Sequence, residues 1–360
     1  MSEPASPLAD CEIAWFAALC DDDYEYLGVP DASLRSSWEH CAEIVRTADR
    51  QGFDNVLLPS GYALGIDSVA FAGGIAPTLQ TARLLVAVRC GELWPPQLAR
   101  QLATLDQMLG GRLTINITSS DLPGESLESE PRYRRTLEVM QILRALLDGN
   151  PVEHHGEFYD ITVAPPSAHT VSGRCPPLYF GGLSEPAREV AASEADLYLM
   201  WPDTMDEVAA TIADLRARAS RHGRSLRFGY RVHVVVRETE AEARSAAARL
   251  IGRLDDATGA AIREQSLDSH SAGVRRQAEL RADAGDDGYV EANLWTGIGR
   301  ARSGCGAAIV GDPDQVRSKL EAYHALGIDS FILSGYPHRN EAEHFGSLVL
   351  QRRSTLDTGS

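Results

Sequence analysis

An α/β fold of the (β/α)8 TIM-barrel class is what this sequence predicts, and three observations predict it. Short apolar runs alternate with amphipathic helical stretches along the 360 residues, and eight such runs can be picked out. They are nearly continuously apolar, as strands must be when helices cover both faces of a parallel sheet. Eight is also the number that closes on itself, and the length suits that barrel with insertions. The rival layout, an open doubly wound sheet, would carry a glycine fingerprint after its first strand. The stretch there, "AALCDDDYEYLG", contains no G-x-G-x-x-G.

The elements follow in order. "EIAWFAAL" (12–19) is strand one, and "SSWEHCAEIVRTADRQG" (36–52) an amphipathic helix with Ser36 or Ser37 as cap and Gly52 as stop. "NVLLPS" and "LLVAVR" are strands two and three; "PPQLARQLATLDQMLGG" is a helix with proline at its start and glycine at its end. "RLTINITS" is strand four and "RYRRTLEVMQILRALLDG" the helix behind it. "PLYFGG" and "ADLYLMW" are strands five and six, "TMDEVAATIADLRARASRHG" a periodic helix, and "LRFGYRVHVVV" strand seven. "GDPDQVRSKLEAYHALG", capped by Asp312 with Pro313 in its first turn, leads into strand eight, "IDSFILSGYP". Two insertions interrupt the pattern: a short hairpin at about 151–165, before strand five, and a long segment at 256–305, after strand seven. The latter is expected to be a mobile lid, since loops after barrel strands lie on the catalytic face. One domain spanning 11–350 results, with flexible termini at 1–10 and 351–360.

Charge and composition narrow the function. Net charge is −17, from 34 basic and 51 acidic residues, which argues against a nucleic-acid partner. No apolar run approaches the ~20 residues of a membrane span. The start has neither a basic n-region nor an apolar h-region, so a cytoplasmic protein is expected. Six scattered cysteines, without C-x-x-C or histidines at ligand spacing, predict no metal site and no disulfide framework.

Strand seven poses the sharpest chemical question. Alternation puts Arg231, His233 and Val235 on one face, which points into the barrel, and Tyr230, Val232, Val234 and Val236 on the other. A guanidinium inside a barrel needs an anion or several acceptors. A structural salt bridge and a ligand anion both satisfy that need, and both stay open. Other strand ends add Tyr336 and His338 after strand eight, Trp201 after strand six, and Asn116, Thr118 and Ser119 at strand four. Together they describe a polar, aromatic-walled cavity. In "LYFGGLSEPAREVA" strand five breaks at Gly181-Gly182 and Ser184 opens a helix, which fits either a phosphate site or a plain capped turn.

The whole chain from "AWF" to about residue 350 resembles the bacterial luciferase-like flavin monooxygenases, most closely the alkanesulfonate monooxygenases that use reduced FMN. The motifs that carry the likeness are "RQLATLDQMLGGR", "PPLYFGG", "DLYLMW", "FGYRVHVVVRET", "NLWTGIGRARSGCGAAIVGDP" and "LGIDSFILSGYPH". The resemblance implies a two-component enzyme: an NAD(P)H:flavin reductase supplies FMNH2, O2 is activated on the flavin, and an anionic organosulfur substrate is cleaved to aldehyde and sulfite. It also implies a homo-oligomer.

Carried over by motif, Arg231, His233, Arg302, Tyr336 and His338 are the catalytic set, the two arginines clamping a sulfonate and the others positioning groups or moving protons. Asn116, Tyr133, Gly182, Ser184 and Trp201 are the FMN set, Ser184 and its helix amides taking the phosphate. Two positions depart from the family. Its cysteine after strand two falls in "PSGYALGID", at Leu64 or Gly65, and its histidine after strand one falls at Asp21, beside Cys20. The departures leave three alternatives: another substrate such as a sulfone or a secondary metabolite, a deazaflavin-dependent oxidoreductase, or a flavin-binding protein without turnover.

Overall fold

Apolar runs that no single sheet face can cover close on themselves. The computed structural model describes residues 8–63, 65–125, 127–264, 271–302 and 304–351; Leu64 and most of both termini lie outside them. The strands are β1 (Glu12–Phe16), β2 (Asn55–Leu58), β3 (Arg83–Arg89), β4 (Leu113–Thr118), β5 (Val152–His155), β6 (Asp160–Val163), β7 (Leu178–Phe180), β8 (Leu197–Met200), β9 (Arg227–Val236), β10 (Tyr289–Glu291), β11 (Leu294–Trp295), β12 (Ala308–Gly311) and β13 (Ser330–Ser334). Eight of them form a closed parallel barrel in the order β1-β2-β3-β4-β7-β8-β9-β13, with β13 returning to β1. These are the eight runs read from the sequence, and the fold is the (β/α)8 barrel.

Helix boundaries follow local chemistry. Ser37 caps the helix Trp38–Gln51 by accepting from His40 N–H, and Gly52 ends it in the left-handed region at φ 85°. Asp312 and Gln315 form a reciprocal capping box for Pro313–Leu326. Several helices escaped the periodicity reading, two of them for reasons of composition. Ser68–Ile75 carries two glycines in eight residues, and Glu240–Leu250 is so alanine-rich that its apolar stripe is faint.

The barrel interior is layered. At its amino-terminal mouth Glu12 accepts from Tyr179 Oη (3.0 Å), Ser330 Oγ (2.7 Å) and Asn55 Nδ2 (3.2 Å), closing that end with a polar plug. Above it Ala14, Leu57, Leu85, Leu197 and Ile332 pack with Phe16. The outer faces meet the helices: Val232, Val234 and Val236 are fully buried, each worth about 1.5–3 kcal/mol.

Strand β9 is long because it carries two successive pairings within one sheet. Arg227–Tyr230 pair with β8 and close the barrel, whereas His233–Val236 pair with β12, beyond the reach of β8. Strand β12 in turn pairs antiparallel with β11, and β11 with β10. The segment 256–305, expected to be a mobile loop, is therefore largely ordered structure among its described residues: helices Asp256–Glu264 and Ala272–Ala282 and a ribbon attached to the rim. The hairpin before β7 consists of β5 and β6.

Candidate active site

The carboxyl ends of β4, β7 and β8 surround a cavity of about 630 Å³. All five residues expected to bind the flavin line it: Asn116, Tyr133, Gly182, Ser184 and Trp201. Its volume is that of a typical cofactor site. Strand β7 ends in a turn only glycine permits. At Gly182 φ is 154°, and a Cβ would lie 2.7 Å from Ala187 Cβ and 3.2 Å from Tyr133 Oη. Tyr198 Oη donates to Gly182 O at 2.8 Å and pins the turn.

Ser184 is the N-cap of the helix Glu185–Glu194, yet its hydroxyl makes no capping bond; Ser184 Oγ is buried without a partner. A bare hydroxyl beside the N–H groups of Glu185 and Ala187, with Pro186 between them offering none, and a glycine cradle form a donor set that suits a phosphate. The residues present thus fit the phosphate end of FMN.

The five residues expected to be catalytic form a second cluster at the ends of β9 and β13. Arg231 is 3% exposed. Its Nη1 donates to Val232 O (3.2 Å) and Ile332 O (3.5 Å), its Nη2 has no partner, and the guanidinium lies over Phe16 at 4.4 Å. Among the described residues no carboxylate lies within ion-pair distance of it. Burial pulls its pKa below the usual value, and the charge of Arg302 adds to that. No structural salt bridge to Arg231 is present among the described residues, which leaves its Nη2 open to a ligand.

His233 is fully buried with both ring nitrogens engaged: Nδ1 with Ser334 Oγ at 2.7 Å and Nε2 with Cys305 O at 3.2 Å. A carbonyl only accepts, so Nε2 carries the proton and Nδ1 accepts from the serine. Burial, then Arg231, Arg302 and His338, keep the ring neutral, its pKa well below normal. Its face stacks on Tyr336 at 5.1 Å. Arg302, from the rim segment, donates through Nη1 to Asp22 Oδ2 (2.9 Å) and to Tyr336 Oη. Burial opposes its charge, but Tyr336 and Asp22 outweigh that and hold its pKa above normal.

His338 is the first residue of the helix His338–Phe345, not a loop residue, and is fully buried. Its Nδ1 and its backbone N–H both bond Asp23 Oδ1 at 2.9 Å, leaving Nε2 buried and unpaired. The other oxygen of Asp23 meets His40 Nε2 at 2.9 Å. Burial pushes the Asp23 carboxyl upward, but the charge and hydrogen bonds of His338 and that of His40 hold it well below the carboxylate range.

Asp22 and Asp23 are residues the sequence reading missed. The available signal was three consecutive aspartates at a strand end, a charge density that demands cations nearby. Asp21 itself turns away: at φ 50° it exchanges hydrogen bonds with Ser36 and closes its own loop. Cys20 is no substitute nucleophile, because burial and then Asp22 push its thiol up to about 12. Position 65 admits no side chain: a Cβ on Gly65 (φ 77°) would fall 1.7 Å from Leu19 O. The alternative position, Leu64, lies outside the described residues.

Trp201 joins the two clusters. Gly273 and Gly304 both approach its indole so closely that a Cβ would meet the ring at 2.9 and 3.2 Å. Gly304 is two residues from Arg302, so the rim segment touches the cavity wall and the arginine cluster together. No group of three or more His, Cys, Asp or Glu side chains is placed to hold a metal, and no helix is long and apolar enough to cross a membrane, among the described residues.

Residues 15–330 match the family model described as luciferase-like monooxygenase. The chain is 63% identical over 348 residues to a sulfoquinovose monooxygenase of Novosphingobium aromaticivorans, covering 95% of this chain and 96% of that one. It is 52% identical over 354 residues to a sulfoquinovose monooxygenase of Agrobacterium fabrum, covering 98% and 92%. Among solved structures the EDTA monooxygenase of Chelativorans sp. BNC1 superposes with a TM-score of 0.77 at 16% identity, over 96% of this chain and 93% of that one, a likeness of fold alone.

Proposed function

The chain belongs to the luciferase-like monooxygenases, and from that premise we propose that it oxygenates sulfoquinovose, a glucose bearing a sulfonate on C6, with reduced FMN and O2. The alkanesulfonate implied by resemblance gives way to a sugar sulfonate because both close relatives are named for that substrate. The observation that carries the reading is Arg231, a buried guanidinium with a bare Nη2 and no carboxylate partner among the described residues. The reduced flavin comes from a separate reductase in this reading, and the enzyme works in the cytoplasm as a homo-oligomer.

When bound, FMN supplies two electrons and the activation of O2. Ser184 Oγ and the N–H groups of Glu185 and Ala187 would take its phosphate, Gly182 leaves it room, and Tyr133 and Trp201 wall the cavity. Arg231 Nη2 donates to the sulfonate, with Arg302 beside it as the second cation. His338 Nε2 is the open ring nitrogen of the site, and Asp23, bonded to Nδ1, fixes the ring's orientation. It takes the proton that C6 loses as the carbon–sulfur bond breaks and the carbonyl forms. Tyr336 Oη accepts from Arg302, leaving its own O–H to donate to substrate oxygen. His233 keeps that phenol in place by stacking. The segment carrying Gly273 and Gly304 shields Trp201 and excludes water. In sum C6 is oxidised to the aldehyde and sulfite leaves, the second oxygen atom leaves as water, FMN is left oxidised, and one proton is released.

Supplying FMN, a flavin reductase, NADH and air to the purified protein with sulfoquinovose should release sulfite and the 6-oxo sugar in equal amounts. Flavin turnover without sulfite would sink the proposal.

A further inference from the structure

Three buried polar atoms at the arginine cluster have no hydrogen-bond partner among the described residues: Arg231 Nη2, His338 Nε2 and Asp22 Oδ1. Buried polar groups in folded proteins are nearly always paired, so three bare ones in one cluster ask for a ligand that matches them all. Their chemistry differs. The guanidinium only donates, the carboxylate only accepts, and the imidazole nitrogen does either. A sulfonate carries acceptors alone. It answers Arg231 and cannot answer Asp22.

Asp22 is held in place for a further contact. Its Oδ2 takes Arg302 Nη1 at 2.9 Å, and its side chain is only 15% exposed. Arg302 bonds Tyr336 through the same nitrogen, so the carboxylate belongs to the arginine–tyrosine group and not to the outer surface. Its charge acts on Arg231 and on Tyr336 alike. One oxygen is therefore anchored and the other is desolvated and free.

We propose that Asp22 Oδ1 accepts a hydrogen bond from a hydroxyl of the substrate, so that Asp22 selects a polyhydroxylated sulfonate over a plain alkanesulfonate. The inference rests on the function proposed above and adds the residue that reads the sugar. A site built to bond a hydroxyl leaves its acceptor stranded when the ligand lacks one, and such sites discriminate by large factors. The plainer role for Asp22 is counter-ion to Arg302. The two roles separate cleanly: a counter-ion serves every sulfonate equally, whereas a hydroxyl acceptor serves only the hydroxylated one.

The test is equilibrium binding of sulfoquinovose and of 1-hexanesulfonate to the protein saturated with oxidised FMN, where no turnover occurs. Wild type should bind the sugar sulfonate at least about 100-fold more tightly. Asp22→Ala should weaken sulfoquinovose by about 10- to 100-fold and hexanesulfonate by less than about threefold. Asp22→Asn, which keeps the shape of the loop, should show the same asymmetry at smaller amplitude and serves if the alanine variant melts early. Arg302→Met should weaken both ligands alike. Equal losses for both ligands in the Asp22 variants would overturn the proposal, as would a wild type without preference for the sugar. Binding with an Asp22-dependent preference but no sulfite release would instead remove the proposed activity and leave the role of Asp22 standing.

Discussion

Replacing Arg231 with methionine should remove most of the activity while leaving the fold about as stable as before, and the structure sets both magnitudes. Burial of the charge costs several kcal/mol. Against it stand one good charged hydrogen bond to Val232 O, worth about 1.5–3 kcal/mol, and stacking on Phe16, worth about 2 kcal/mol when desolvated. The contact to Ile332 O, at 3.5 Å, adds little. These contributions nearly cancel, and methionine is long and flexible enough to fill the space. The change in stability should stay within about 1 kcal/mol, which for a chain this size moves the melting temperature by no more than about 3 °C. Removing a preorganised cation from the reacting anion should cost about 10²–10³ in kcat/KM. The assay pairs sulfite release with thermal melts in the presence and absence of the sulfonate. At 100 times its Kd a ligand stabilises wild type by about 2.7 kcal/mol, a gain the variant should lack. A variant that loses several kcal/mol without ligand would mean that Arg231 is a structural cation after all. Retained turnover would mean that it does not hold the anion.

Ser184→Ala removes a buried hydroxyl that has no partner, so the free protein should be as stable as wild type. FMN should bind about 5- to 10-fold more weakly and riboflavin, which lacks the phosphate, equally well; equal losses in a flavin fluorescence titration would displace the phosphate from this helix. Asp23 has a folded pKa held below its unfolded value, so the stability it contributes is complete above about pH 4 and disappears as pH falls through the lower folded value. Asp23→Asn should accordingly lower stability at pH 7, with a gap to wild type that shrinks below about pH 4; a gap independent of pH contradicts the buried pairing. His233 is held neutral, so below about pH 6.5 only the unfolded chain takes up its proton and native stability falls. His233→Gln should flatten that part of the urea-measured stability profile, and an unchanged slope would show that the imidazole is charged.

The barrel was legible in the sequence because its strands are apolar on both faces and its helices carry clear caps. Arg231 and His233 stood out by alternation alone, since a cation and an imidazole two residues apart in a valine-rich strand have to share a face. The aspartates at 21–23 were not separable by any such rule. In sequence they are three equal carboxylates in one loop. In space Asp21 closes its own turn, Asp22 meets an arginine 280 residues away, and Asp23 meets a histidine 315 residues away. Such pairings are created by barrel closure, which brings β1 beside β13, and no local pattern encodes them. Ser184 was legible as a cap, but its bare hydroxyl was not, because capping residues ordinarily spend that group on their own helix.

The change of partner along β9 makes the rim ribbon a detachable module. The barrel closes through Arg227–Tyr230 on β8 and Gly229–His233 on β13, and takes no strand pairing from β10, β11 or β12. The ribbon hangs on the upper half by four register pairs and brings Arg302 with it. A change in the ribbon can therefore shift Arg302, the proposed second cation, and the glycine that covers Trp201 without disturbing the strand pairs that close the barrel.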